Sequence, residues 1–139
     1  MTIQPKTPKP TVAEEKRAYK DATERDNGTC QRCLRDCGPL ARDHRQNREA
    51  GNTTLANLQC LGLRCHQWKT EHPKEALARG WGVPSYADPR VWPARRWLLS
   101  SFGRLREGWV LYRDTPGQDG RLWDEISDEE AARHMGRAA

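Results

Sequence analysis

Residues 30–72 read CQRCLRDCGPLARDHRQNREAGNTTLANLQCLGLRCHQWKTEH, and this stretch decides the fold. It holds every cysteine of the chain and every histidine except His134. Cys30-Gln-Arg-Cys33 has the spacing that turns two thiolates toward one metal while the local turn offers backbone amides to the sulfurs. A redox dithiol has the same spacing, but it needs βαβ surroundings, which this sequence lacks. Cys60 and Cys65 form a second pair. Cys37 stands between the pairs, either as a substitute ligand or as a free thiol, and the downstream pair favours the free thiol.

Between the pairs, Leu40–His44 reads as a short strand ending in Asp43 and His44. Adjacent strand residues point to opposite faces, so one of the two can ligate a metal while the other faces a substrate water. Residues 45–54 form a polar, Gly-containing loop. There Arg42, Arg45 and Arg48 are candidate phosphate contacts, with a solvated loop as the plain alternative. Cys65–Glu71 should open a helix with His66 inward and Lys69 near the same face, within reach of a phosphate. His72-Pro73 interrupts it. A second short helix follows over Pro73–Arg79, with Pro at its first turn and Gly80 at its end.

Outward from this core, residues 1–10 (MTIQPKTPKP) read as a disordered basic arm. Thr11 and Glu14 form a capping box that opens a helix to Asp26, and Asn27-Gly28 ends it. Trp81–Trp97 reads as an irregular Trp- and Pro-rich wrap whose indoles cover the module. Trp109–Tyr112 and Arg121–Trp123 read as a hairpin, and Ser127 caps a last helix that carries His134 at its surface. The chain thus divides into an arm (1–10), a zinc-framed module with its helix (11–82) and a C-terminal wrap, hairpin and helix (83–139).

The bulk properties narrow the function classes. Apolar residues make up 35% of the 139 residues, with one Phe and two Met, so the core is small and needs a staple. The formal net charge of +5 and pI near 9.1 favour a polyanionic partner, nucleic acid before membrane. No apolar run is long enough to span a bilayer and no signal peptide is visible, so a cytoplasmic location is expected. Reducing conditions there favour metal over disulfides for paired cysteines. That location and the odd cysteine count argue against a disulfide-bonded secreted domain.

Asp43-His44, Asn57 and Cys65-His66, in that order inside the cysteine frame, closely resemble the HNH motif of the HNH endonucleases (the ββα-metal or His-Me finger superfamily). The resemblance covers about residues 25–81. The run RCHQWKTEHPKEALARGWGVPSYADP and the later GWVLY are similar to small HNH proteins of actinobacterial bacteriophages. The resemblance implies an α+β chain: a small ββα-metal fold with a structural zinc knuckle, an N-terminal helix, and a C-terminal hairpin plus helix.

It implies a metal-dependent DNA endonuclease that hydrolyses phosphodiester bonds, by nicking or by cutting both strands. His44 is then the general base, its ordinary pKa near 6.5 suiting that work. Asp43 and His66 hold one catalytic divalent ion, Mg²⁺ or Mn²⁺, with Ni²⁺ or Zn²⁺ in some relatives. Asn57 holds the loop and the His44 ring, and Cys30, Cys33, Cys60 and Cys65 bind a structural Zn²⁺. Such a site supplies roughly 10–16 kcal/mol of apparent binding energy, enough to decide whether a small core folds. Gly62 departs from the family pattern, standing where many members carry a ligand cysteine, so Cys37 competes with Cys60. His72 is an outside candidate for the catalytic ion. DNA is the implied partner, a monomer is the simplest state, and a role beside a phage terminase is one that the family suggests, as are homing and restriction. The competing expectation is a zinc-stabilised nucleic-acid-binding module without catalysis.

Overall fold

A computed structural model describes residues 9–137; the arm expected at residues 1–10 lies almost wholly outside them. The chain is α+β, with two antiparallel sheets and a group of four neighbouring cysteines. Helix α1 spans Val12–Arg25. Its capping box forms as the sequence predicts: Thr11 Oγ1 accepts from the Glu14 amide at 3.1 Å, and Glu14 Oε1 accepts from the Thr11 amide at 3.2 Å. Its inward residues, Ala18 and Ala22, are small, which lets the helix lie close on Leu55 and Leu58.

Strands β1 (Leu40–His44) and β2 (Leu58–Gly62) pair antiparallel, with Asp43 opposite Gln59 and His44 opposite Leu58. Helix α2 (Leu63–Glu71) leaves β2 directly, and α3 (Pro73–Arg79) ends at Gly80, which adopts φ 74°. Pro93 packs against Gly80 so closely that any side chain there would collide with its carbonyl.

The C-terminal half corrects one expectation. The irregular wrap ends at Pro93, and residues 94–97 belong to a strand, β3 (Ala94–Leu99). It pairs with β4 (Leu105–Tyr112), which pairs in turn with β5 (Trp123–Ile126), so the sheet has three strands rather than two. The alternation is real: Ala94, Arg96 and Leu98 face inward. Arg96 hides it, because a charge stands where a hydrophobe is expected. Helix α4 (Asp128–His134) follows, and Ser127 Oγ accepts from the Glu130 amide at 3.1 Å.

Residues on both sides of position 82 share one interior. Asp26, just past α1, accepts from Arg25 at 2.9 Å, from Arg96 at 2.6 Å and from the Cys60 amide at 3.0 Å. Burial opposes ionisation of the Asp26 carboxyl, but Arg25 and then Arg96 together outweigh it and hold the carboxyl below its ordinary range. Arg25 also lies 4.2 Å over the Tyr112 ring on β4. The buried charges therefore bind α1 and β2 to the C-terminal sheet. No helix among the described residues is long and apolar enough to cross a membrane.

Candidate functional site

Two clusters sit on β1, β2 and α2. The first is built of cysteines. The sulfurs of Cys30, Cys33, Cys37 and Cys65 all lie within 4.8 Å of one another, and all but Cys33 are buried. Four thiolates on one zinc stand about 3.8 Å apart, given zinc–sulfur bonds of about 2.3 Å. Cys37 and Cys65, at 3.6 Å, already meet that spacing. The group can hold a zinc ion. Burial opposes ionisation of Cys30, but the amides of Cys33, Gly62 and Arg32 outweigh it and bring the thiol to about 7. Burial pushes Cys65 up to about 12, with the neighbouring thiols adding to it and Arg32 opposing, since Arg32 Nη1 reaches its sulfur at 3.6 Å. A dication among the sulfurs reverses that repulsion.

The ligand set differs from the expected one: Cys37 belongs to the group and Cys60 does not. Strand alternation explains Cys60. Leu61 is the β2 residue that packs among the cysteines, while the Cys60 sulfur lies 3.7 Å from the Ala22 carbonyl on α1. Burial and then Asp26 push the Cys60 thiol up to about 12, which keeps it protonated. Gly62 explains Cys37. A side chain at position 62 would occupy the space that the Cys37 sulfur fills.

The second cluster lines a cleft of about 680 Å³. Asp43, buried on β1, presents Oδ1 to His66 Nδ1 of α2 at 2.8 Å. Its Oδ2 accepts from Lys69 at 2.6 Å and from Gln59 at 2.9 Å. His44 is half-buried, and its Nε2 lies 2.9 Å from Thr53 Oγ1. Burial, and then the charge of Arg48, hold His44 below the ordinary histidine value, with Asp43 opposing. That shift favours the neutral ring. His72 stacks on Trp68 with its Nδ1 at the Trp68 carbonyl, away from this cluster.

Several expected roles shift. Asn57 is fully buried and closes the 46–52 loop: its Oδ1 accepts from the Gln46 amide at 2.8 Å and its Nδ2 donates to the Asn52 carbonyl at 2.9 Å. The His44 ring takes Thr53 as partner instead. Arg45, expected at DNA, is 1% exposed and donates to the carbonyls of Gly80, Ala56, Pro89 and Trp92. It is a clamp that fastens β1 to the segment after α3. Lys69, also expected at a phosphate, spends its ammonium on Asp43 and on the His44 carbonyl at 2.7 Å. Burial lowers its pKa and the Asp43 charge opposes this. Arg42 and Arg48 remain exposed where they line the cleft.

Gln59 and Thr53 were missed by sequence reasoning. Gln59 was legible in principle, because the β1–β2 register sets it opposite Asp43. Thr53 carries no signal, since its place depends on the fold of the loop.

Compared with models of known protein families, with curated proteins and with solved structures, the chain has no match in any of the three.

Proposed function

We propose that the chain is a metal-dependent DNA endonuclease of the HNH kind, with the cysteine group as its structural zinc site. One observation carries the reading: Asp43, His44 and His66 converge on one cleft that Arg42 and Arg48 also line. The sequence order β–β–α, with Asp43 and His44 ending the first strand and His66 on the helix, agrees with it.

The donor set fits a divalent ion. Asp43 Oδ1 and His66 Nδ1 are 2.8 Å apart, close to the roughly 3 Å between neighbouring ligands of an octahedral ion with bonds of about 2.1 Å. Lys69 and Gln59 occupy the other carboxylate oxygen, so Asp43 offers one oxygen only. Mg²⁺, Mn²⁺ or Ni²⁺ held by Asp43 and His66 would act as a Lewis acid on the scissile phosphate. His44, kept neutral by burial and Arg48, takes the proton of the attacking water. Thr53 orients its ring. Arg42 and Arg48 meet the flanking phosphates.

A second reading has one observation in its favour. Lys69, Gln59 and His66 already satisfy both oxygens of Asp43, as they would in a purely structural cluster of a DNA-binding module. Supercoiled plasmid incubated with the protein separates the two. The nuclease gives nicked or linear product with added Mg²⁺, Mn²⁺ or Ni²⁺ and intact plasmid without a divalent ion. Plasmid that is retarded on a gel but never cut with any of the three ions supports the binding module.

A further inference from the structure

The only Phe of the chain, Phe102, is 92% exposed at the tip of the β3–β4 hairpin. Leu99 and Leu105, opposite each other in the register, are 70% and 56% exposed beside it. Single exposed hydrophobes are ordinary, but three together on one tip mark an interaction surface. The tip is also held in one shape. Ser100 donates to the Arg104 carbonyl at 2.8 Å, its hydroxyl accepts from the Arg104 amide at 3.1 Å, and Gly103 donates to the Ser100 carbonyl at 3.0 Å. Gly103 takes φ 78°, which turns the chain back and leaves Phe102 outermost. A surface organised this way loses little entropy on docking.

Charge selects the occupant. From Pro89 to Arg106 the chain carries Arg90, Arg95, Arg96, Arg104 and Arg106 and neither Asp nor Glu. Arg95 and Arg106 pair with Glu107 and Glu125 in the sheet, and Arg90 with Asp88. Arg104, next to the apolar tip, forms no ion pair among the described residues. An aromatic ring between two leucines with a free guanidinium beside it matches what enters a base step: an apolar wedge with an arginine in the minor groove. The base of the hairpin is anchored at the cleft, since Pro93 packs on Gly80 and the neighbouring Gly82 and Val83 line the cleft wall. The six residues of β3 carry the tip roughly 20 Å along the strand, about six base pairs of duplex.

We propose that this hairpin inserts Phe102 into a base step of the duplex bound in the cleft, with Arg104 on the adjoining backbone. It rests on the reading of the chain as a DNA enzyme. A wedge fixes the position of the duplex along the protein and opens the groove about six base pairs from the cleft, without reading sequence through base edges.

The test compares wild type with Phe102→Ala, using no added divalent ion so that DNA stays intact. Affinity for a labelled duplex is read by fluorescence anisotropy. Insertion is read by the change in linking number when a metal-independent topoisomerase relaxes plasmid in the presence of the protein. The inference expects wild type to lower the linking number. Phe102→Ala should abolish that shift and weaken binding by about 5- to 100-fold, the range supplied by base–aromatic stacking. The melting curve should stay unchanged, because the side chain is exposed.

Equal affinity and an equal linking-number shift in the variant would overturn the wedge; if wild type still cuts plasmid with Mn²⁺, the nuclease reading stands. The wedge also falls if Phe102→Ala keeps its DNA affinity but loses binding to anionic phosphatidylserine vesicles, or turns a dimer into a monomer in sedimentation. Wild type that neither binds nor cuts DNA removes wedge and nuclease together.

Discussion

The two clusters on β1, β2 and α2 solve opposite problems. In the cysteine group, four sulfurs crowd one another, and burial raises Cys65 far above its ordinary range. In the cleft, Asp43 is equally buried but already has His66, Lys69 and Gln59 on its oxygens. The first arrangement can hold a dication. The second already has its partners in place. Adjacent residues of one helix, Cys65 and His66, belong to different clusters, so an ion among the sulfurs fixes the helix that presents His66 to the cleft. On the proposed function, one metal would serve folding and the other chemistry.

The sharpest way to break this contrast lies in the cysteines. Cys37→Ser is expected to lose zinc and unfold, because roughly 10–16 kcal/mol of metal binding exceeds or matches the stability of a typical domain. Cys60→Ser is expected to keep its zinc and lose about 1–3 kcal/mol, the effect of a buried hydroxyl without a good partner. Zinc content and melting curves of the pair decide it, and the reverse result would restore Cys60 as a ligand.

In the cleft, Lys69→Met leaves Asp43 short of its cation. Denaturant unfolding should show a loss of about 3–5 kcal/mol. Added Mn²⁺ should return more stability to the variant than to wild type, because the ion restores the missing charge. A variant indifferent to Mn²⁺ would detach Asp43 from the metal.

The arginines separate by burial. Arg45→Lys cannot reach four carbonyls and should cost about 3 kcal/mol or more, while leaving the salt dependence of DNA binding as it was. Arg48→Ala should hardly change stability but should reduce the log–log salt slope by about 0.9. Similar slopes for wild type and Arg48→Ala would place DNA elsewhere.

The smallest expected effect concerns pH. If His44 is the neutral base of the proposed reaction, cleavage is complete above its pKa and is lost as pH falls through it. Burial and Arg48 both lower that pKa. Arg48→Ala should therefore move the acid limb of the rate profile to higher pH. A limb that stays in place would mean that His44 does not govern it.

What was legible in the sequence was local. The capping box at Thr11 and Glu14, the Leu40–His44 strand, the α2–α3 break at Pro73 and the Gly80 turn depend on residues a few positions apart. The pairing of Cys37 with Gly62 depends on a loop folding over the end of β2, which spacing alone does not specify. Arg45 was misread, and the strand alternation at Arg96 missed, for a shared reason. A charge in a half-buried pattern reads as surface, whereas backbone carbonyls satisfy Arg45, and Asp26 with the Arg25 carbonyl holds the two terminal nitrogens of Arg96. Asp43, His44 and His66, which the resemblance names together, line one cleft; their partners Gln59, Thr53 and Lys69 needed the register and the loop.

The most direct measurement is the rate of plasmid cleavage by wild type and His44→Ala, side by side with Mn²⁺. The account predicts that the variant keeps its zinc content and DNA affinity and cuts about 10²- to 10⁴-fold more slowly, the share that a positioned general base contributes. His44→Ala that cuts at the wild-type rate would contradict it, as would a wild type that binds plasmid and cuts with none of Mg²⁺, Mn²⁺ and Ni²⁺.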